Sequence, residues 1–540
     1  MDQNWFKNAV IYGVDVKLFY DGNNDGIGDF VGLTQKLPYI KSLGVDCIWL
    51  LPFHPSGGRD NGYDVIDHYS IDQSYGTLDD FRNFVTKARK MGIRVLMDLV
   101  VHHTSDLNPW FLESRSNVNS KYRNFYVWSK KIPKGNYPES RPAFPGVDNN
   151  VWKYDPVAKM FYFHRFYNFQ PDLNVANPEV QAEIIDIMRF WLNYGISGFR
   201  LDAATMMFER KGIEGTGVKN ADAFIEEMHR FVKGINPDAI ILGEADVKAD
   251  EVSFFFGNGN RISLLLNFLL NRYIFLGLAR GDGEPIAKEL TTLPKPPHSA
   301  QWVNFLRNLD ELNIETLDPG SKSEVFNEFG KEPWTRVYDR GIRRRLAAMM
   351  DGNLKRMKMA YSLIFSLPGT PMIVYGDEIG MGDFLDLPER ESVRLPMQWN
   401  SQKNAGFSKV DRIGLIRAAL EIGPFRYQIL NTKSEIAKKD SLLNYIKTLC
   451  KVRKNFPEIG EGDYNVLETS DKRIFAISFT NAGSQLITFH NLSKNPAKTD
   501  LMGLKNVSLK EVFSDSKYSD PNSHIKLNSY GFRWFKVLNK

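Results

Sequence analysis

The chain has 540 residues, enough for more than one domain, and 43% of them are hydrophobic, an ordinary share for a globular protein. With 69 Lys and Arg against 64 Asp and Glu, the net charge is +5. That balance excludes a nucleic-acid-binding chain, and no apolar run is long enough to cross a bilayer. The one basic cluster, Arg340–Arg345, reads as a solvated helix face or a local ion-pair group. Only Cys47 and Cys450 are present, and Cys47 sits in an apolar run, so a buried reduced thiol is expected rather than a disulfide. The first seven residues lack the basic-then-apolar pattern of a secretory signal, and a cytoplasmic location is the expectation.

Short apolar runs rich in β-branched or aromatic residues predict strands at Ala9–Val16, Cys47–Leu51, Val95–Val101, Gly198–Asp202, Ile240–Glu244, Ser263–Phe268, Val303–Arg307 and Met372–Tyr375. Segments of helical periodicity such as Leu78–Met91 and Pro178–Tyr194 lie between them, with Asp80 and Asn177 placed to cap them. Eight strand-helix units predict an α/β fold, a closed (β/α)8 TIM barrel, over 1–103 and 174–450. The third unit is interrupted by 104–173, rich in Trp, Tyr, Phe, Asn and Pro, which reads as a small inserted domain. A second aromatic and charged insertion spans 311–338. From 451 to 540 short alternating runs at Phe475–Phe479, Gln485–His490, Val507–Val512 and Phe532–Val537 predict a C-terminal antiparallel β-sandwich.

Several predicted strands end on ionisable residues. Glycosidic bond chemistry with retention needs two carboxyl groups, one to attack the anomeric carbon and one to protonate the leaving oxygen. Asp202, ending the fourth strand, reads as the nucleophile, oriented by Arg200 two residues earlier. Glu244, ending the fifth, reads as the acid/base, its proton retained by crowding against Asp202. Asp310, after the seventh, is a third carboxylate suited to sugar hydroxyls. Following the first strand, Asp21-Gly-Asn23-Asn-Asp25-Gly-Ile27-Gly-Asp29 sets oxygen-bearing residues at alternate positions, a pattern for a hard cation, with a metal-free loop of Asx turns as the lesser alternative.

Further segments carry a resemblance: Trp49-Leu-Leu-Pro-Phe, Arg59-Asp-Asn-Gly-Tyr63-Asp64, His164-Arg-Phe-Tyr, Gln170-Pro-Asp172-Leu-Asn174, Tyr375-Gly-Asp-Glu-Ile-Gly-Met-Gly and Pro396-Met-Gln-Trp399. With the strand-end motifs, they resemble the α-amylase superfamily, glycoside hydrolase family 13, over nearly the whole chain, and within it the trehalose synthases (maltose α-D-glucosyltransferases). The resemblance implies that Tyr63 stacks under the sugar ring, that Asp64 and Arg394 pair to close the pocket, and that His103 binds the primary hydroxyl. It implies a structural Ca²⁺ held by Asp21, Asn23, Asp25, Asp29 and the carbonyl of Ile27; Mg²⁺ also suits the loop. The implied function is a retaining α-glucosyl transferase or isomerase acting on maltose or a related small sugar, with the two insertions as its lid. The alternatives are an exo-acting α-glucosidase or transglucosidase, and a non-catalytic sugar-binding relative. The oligomeric state stays open, a homo-oligomer included.

Two positions depart from the family. Its fourth motif reads Asn-His-Asp, where this chain has Asn308-Leu309-Asp310, so a donor to sugar hydroxyls is missing. Its first motif has Asn where this chain has His102, a poor calcium ligand, so the family's second calcium site beside Asp172 is not expected. Alternation along a strand predicts that His102 points away from the pocket that His103 faces.

Overall fold

In the computed structural model, residues 4–134, 141–211, 213, 215–500, 507–521 and 524–538 are described. Segments 135–140, 501–506 and 522–523 of the expected inserted and C-terminal domains lie outside them.

Eight strands close into one barrel: β1 (Ile11–Val14), β2 (Cys47–Leu50), β3 (Arg94–Leu99), β4 (Gly198–Leu201), β5 (Ile240–Gly243), β6 (Leu264–Leu266), β7 (Gln301–Phe305) and β8 (Thr370–Val374). Each pairs in parallel with its neighbour in sequence, and β8 returns to β1 in the register Ile11 to Met372. Apart from Arg94 at the start of β3, every barrel-strand residue is buried, as continuous apolar runs require when a sheet is covered on both faces. Gly198 opens β4 at φ +133°, and a Cβ there would meet the Ile240 carbonyl at 1.9 Å, so only glycine lets β4 approach β5.

Helix starts are capped locally. Asn177 caps the helix Pro178–Leu192 by accepting from the Glu179 amide. Asp80 is not itself a cap: Thr77 caps the helix Leu78–Lys90, and Asp80, three residues on, completes a reciprocal capping box with it. The segment 104–173 carries a three-stranded antiparallel sheet of Trp128–Ser129, Met160–Phe163 and Trp152–Asp155, and a helix at Pro109–Ser116. The second insertion forms the helix Pro319–Phe329 and two short strands, at Leu312–Asn313 and Arg336–Val337, on either side of Gly341–Ile342.

The C-terminal strands form a five-stranded antiparallel sheet and a two-stranded ribbon, Ala497–Asp500 with His524–Leu527. Ile474, Ile487, Phe489 and Phe535 of the sheet share a small core with Ile525 and Leu527 of the ribbon. Among the described residues no helix is long and apolar enough to cross a membrane.

Candidate active site

Strand ends, not loops, position the central groups. Arg200 lies in β4 and Asp202 directly follows it; Glu244 directly follows β5; Asp98 is the penultimate residue of β3. In a parallel barrel these C-terminal ends meet on one rim. There a cavity of ≈ 210 Å³ is lined by Tyr63, His103, Arg200, Asp202, Glu244 and Asp310, together with residues of both insertions.

Arg200 is the hub. It is 1% exposed, and its Nη1 donates to Asp202 Oδ1 at 2.6 Å and to Asp98 Oδ1 at 2.6 Å, while Nη2 donates to Glu244 Oε2 at 2.5 Å. Such charge-assisted bonds are the strong ones, and they hold three carboxyl groups in fixed relation. Burial pushes Glu244 up to about 8; Arg200 opposes this, while Asp202 and Asp310 add to it. Ala203, which follows Asp202, has φ +45° and directs its amide to Glu244 Oε2 at 3.4 Å. Left-handed backbone at an alanine is strained, and such strain gathers at functional sites.

The expected pair Asp64–Arg394 does not form. Asp64 is fully buried beneath the loop and is taken by Arg59 Nε at 3.3 Å and by the Asp60 amide at 3.4 Å. Arg394 donates instead to the Leu309 carbonyl at 2.9 Å and to Asp310 Oδ1 at 2.5 Å. Neither Asp64 nor Arg394 lines the cavity; Asp60 and Arg390 do. Arg390 Nη2 donates to Asp60 Oδ1 at 2.8 Å and its Nη1 to Asp310 Oδ1 at 3.0 Å. The turn through Asn61 (φ +50°) and Gly62 (φ +98°) presents Asp60 rather than Asp64 to the cavity. Burial works to raise Asp310, but Arg390 and Arg394 outweigh it and hold the carboxyl below its ordinary range.

Leu309 is 2% exposed within the apolar core, adopts φ +71° and is not among the cavity-lining residues. His103 lines the cavity, with Nε2 3.1 Å from the Tyr63 carbonyl. His102 is fully buried, with Nε2 3.2 Å from Asp172 Oδ2. His102 is not among the cavity-lining residues, and its ring meets that of His103 at Nδ1 to Nδ1, 3.1 Å. Lys211 Nζ donates to Asp172 Oδ2 at 2.9 Å, so a buried ammonium already neutralises that carboxylate. Burial first, then Lys211, lowers His102 well below the usual imidazole range, which leaves it neutral.

The two insertions meet over the cavity. Glu389 Oε2 accepts from Tyr167 at 2.5 Å and from Tyr338 at 2.9 Å, and Phe144 stacks on Tyr338 at 4.5 Å. Arg340 joins Glu311 at 2.7 Å and donates to the Ala143 carbonyl at 2.7 Å. The arginine run is thus a local bonding group and not a solvated helix face: Arg344 pairs with Asp383, and Arg345 with Asp377. Asp60, Arg390, Glu311 and Arg340 were not singled out as site residues by sequence reasoning; for Asp60 the signal was its place in the quoted Asp60-Asn-Gly-Tyr63 segment.

In the loop after β1, the donors are hard oxygens, as a hard cation takes. Asp21 accepts from the amides of Asn24 (2.6 Å) and Gly26 (2.9 Å), Asp25 from Ile27 (2.9 Å), and Asp29 from Gly22 (2.9 Å) and Gly32 (2.6 Å). Asn23 accepts from the Asp25 amide at 2.9 Å. As placed, these side chains turn to backbone amides, and among the described residues no three carboxylate, imidazole or thiol groups are gathered to hold a metal.

The family model for the α-amylase catalytic domain matches residues 14–292 and 337–462. A trehalose synthase/amylase of Mycolicibacterium smegmatis is 38% identical over 554 aligned residues, covering 99% of this chain and 93% of that protein. The trehalose synthase of Thermus thermophilus is also 38% identical, over 99% of this chain and 56% of that longer protein. Among solved structures, the trehalulose synthase of Pseudomonas mesoacidophila superposes with a TM-score of 0.79 at 25% identity, over 99% of each chain. On sequence and architecture alike, the chain belongs to the α-amylase family, glycoside hydrolase family 13.

Proposed function

We propose that this protein is a retaining α-glucosyl transferase of the trehalose synthase type. It takes maltose or a related short α-glucoside and passes the glucosyl unit to the anomeric hydroxyl of the released glucose. The carrying observation is the single guanidinium of Arg200 spanning Asp202 Oδ1 and Glu244 Oε2 on the cavity wall. Those two bonds from one planar guanidinium keep the two oxygens within about 7.4 Å of each other, a range that includes the ~5 Å separation of double displacement.

The chemistry follows in two balanced steps. Asp202 attacks C1 of the non-reducing glucose while the glycosidic C–O bond breaks, and Glu244 gives its proton to the departing oxygen. The freed glucose turns within the cavity. Its 1-hydroxyl oxygen then attacks C1, returns its proton to Glu244 and displaces Asp202. Two inversions give net retention. Tyr63 faces the ring, Asp310 accepts from ring hydroxyls, and the Asp60–Arg390 pair closes the end of the pocket. The Tyr167–Glu389–Tyr338 clasp supports a lid that keeps water from replacing glucose as acceptor.

Glu244 works as an acid only while protonated. With its carboxyl pushed up to about 8, kcat/KM on maltose falls as pH rises through about 8. Product analysis is expected to show more trehalose than free glucose. Glucose alone makes the protein an exo-acting α-glucosidase, and neither product contradicts both readings.

Glu389→Ala removes the acceptor shared by the two tyrosines and leaves their direct hydroxyl contact at 3.0 Å unsupported. The expected result is a several-fold rise in the glucose-to-trehalose ratio with the alkaline limb in place; an unchanged ratio contradicts the lid.

We also propose that the loop Asp21–Asp29 takes calcium, or magnesium in its place, on the support of its oxygen-rich side chains and the Ile27 carbonyl. Added calcium is expected to raise the melting temperature and a chelator to lower it; a melting temperature indifferent to both contradicts this. A cytoplasmic location is supported by the two free, buried cysteines.

A further inference from the structure

Asp98 is 1% exposed and does not line the cavity, so no substrate atom reaches it. Its Oδ1 accepts from Arg200 Nη1, the same nitrogen that holds Asp202. Its Oδ2 accepts from Trp49 Nε1 at 3.2 Å and from the Tyr63 hydroxyl at 3.4 Å. One hidden carboxyl therefore touches the cation that grips both reacting groups and the aromatic that faces the sugar.

We propose that Asp98 is a positioning residue that governs, through Arg200, how firmly Glu244 keeps its proton. This rests on the reading of Asp202 and Glu244 as nucleophile and acid. A guanidinium carries one positive charge, and each carboxylate in contact draws on it. An ionised Asp98 at Nη1 cancels much of the field that Arg200 exerts on Glu244 through Nη2. Glu244 then holds its proton to higher pH.

The groups facing Glu244 are Arg200, Asp202, Asp310 and the Ala203 amide. Those facing Asp98 are Arg200, Asp202, Trp49 and Tyr63. Arg200 is the cation common to both sets. Burial pushes Asp98 up to about 7 against the pull of Arg200, so its own charge is graded across neutral pH. Replacing Asp98 by a neutral isostere returns the full field of Arg200 to Glu244, and the midpoint of Glu244 moves down.

The test is an infrared titration of the carboxyl C=O band, assigned to Glu244 by its loss in Glu244→Gln. Wild type and Asp98→Asn are compared, and the alkaline limb of kcat/KM is followed in parallel. Asp98→Asn is expected to lower the Glu244 midpoint by about one pH unit, with the limb moving alongside. An unmoved midpoint in folded Asp98→Asn, with activity merely reduced, overturns the proposal. Should that variant fail to fold, Trp49→Phe removes a bond that favours ionised Asp98. A shift in the same direction of about half a unit is then expected, and no shift overturns the proposal. The titration needs no substrate, so a wild type that turns over no α-glucoside contradicts the proposed function and leaves this result standing.

Discussion

One guanidinium shared by three carboxyl groups organises this molecule. Arg200 can serve Asp98, Asp202 and Glu244 together only because β3, β4 and β5 are adjacent and parallel, so that their ends arrive side by side. A buried cation without partners, or three buried carboxylates without a cation, costs several kcal/mol per charge. Barrel closure and site assembly are therefore one problem: an Arg200 displaced from the rim leaves all three carboxyls uncompensated. The same arrangement separates the roles of two chemically similar groups. Asp202, with its side chain 9% exposed, shares Nη1 with Asp98, whereas Glu244, at the cavity face, takes Nη2 and keeps its proton.

A second chain of charges closes the other side of the cavity. It runs from Asp60 through Arg390 and Asp310 to Arg394 and ends on the Leu309 carbonyl. Both arginines reach the same oxygen of Asp310, which keeps that carboxylate ionised and fixed on the cavity wall. Strained backbone accompanies this chain at Asn61, Leu309 and Glu389, all in left-handed conformations without glycine. Surrounding structure must hold such residues in place, and here the clasp of Tyr167, Tyr338 and Glu389 ties the inserted segment to the loop that carries Arg390. The leucine of the Asn-Leu-Asp motif belongs to the apolar core and does not line the cavity, where Asp310 and Arg390 present polar groups instead.

The barrel was legible because each of its strands is a continuous apolar run, buried on both faces, ending in a polar residue. Asp202 and Glu244 stand out for the same reason, His103 and Tyr63 through the family resemblance, and all four line the cavity. The polar strands at Asp463–Val466, Ala497–Asp500 and His524–Leu527 escaped notice because half-exposed edge segments carry little apolar signal. The Asp64–Arg394 pairing failed on backbone conformation: positive φ at Asn61 and Glu389 decides which of two nearby carboxylates or arginines faces the cavity, and no side-chain pattern records it. His102 turns away from the cavity that His103 faces, toward Asp172, as alternation along the strand predicts. Asp98 lies inside the predicted strand Val95–Val101 with no evident part, because its partners Trp49, Tyr63 and Arg200 come from β2, the loop after it, and β4.

The central claim is that Asp202 forms a bond to the anomeric carbon while Glu244 serves as its acid and base. Incubation with a 2-deoxy-2-fluoro glucosyl fluoride, followed by peptide mass spectrometry, tests it most directly. A fluoroglucosyl adduct on Asp202, absent in Asp202→Asn, is the expected result. Intact sugar binding with no adduct, or an adduct on another carboxylate, contradicts the account.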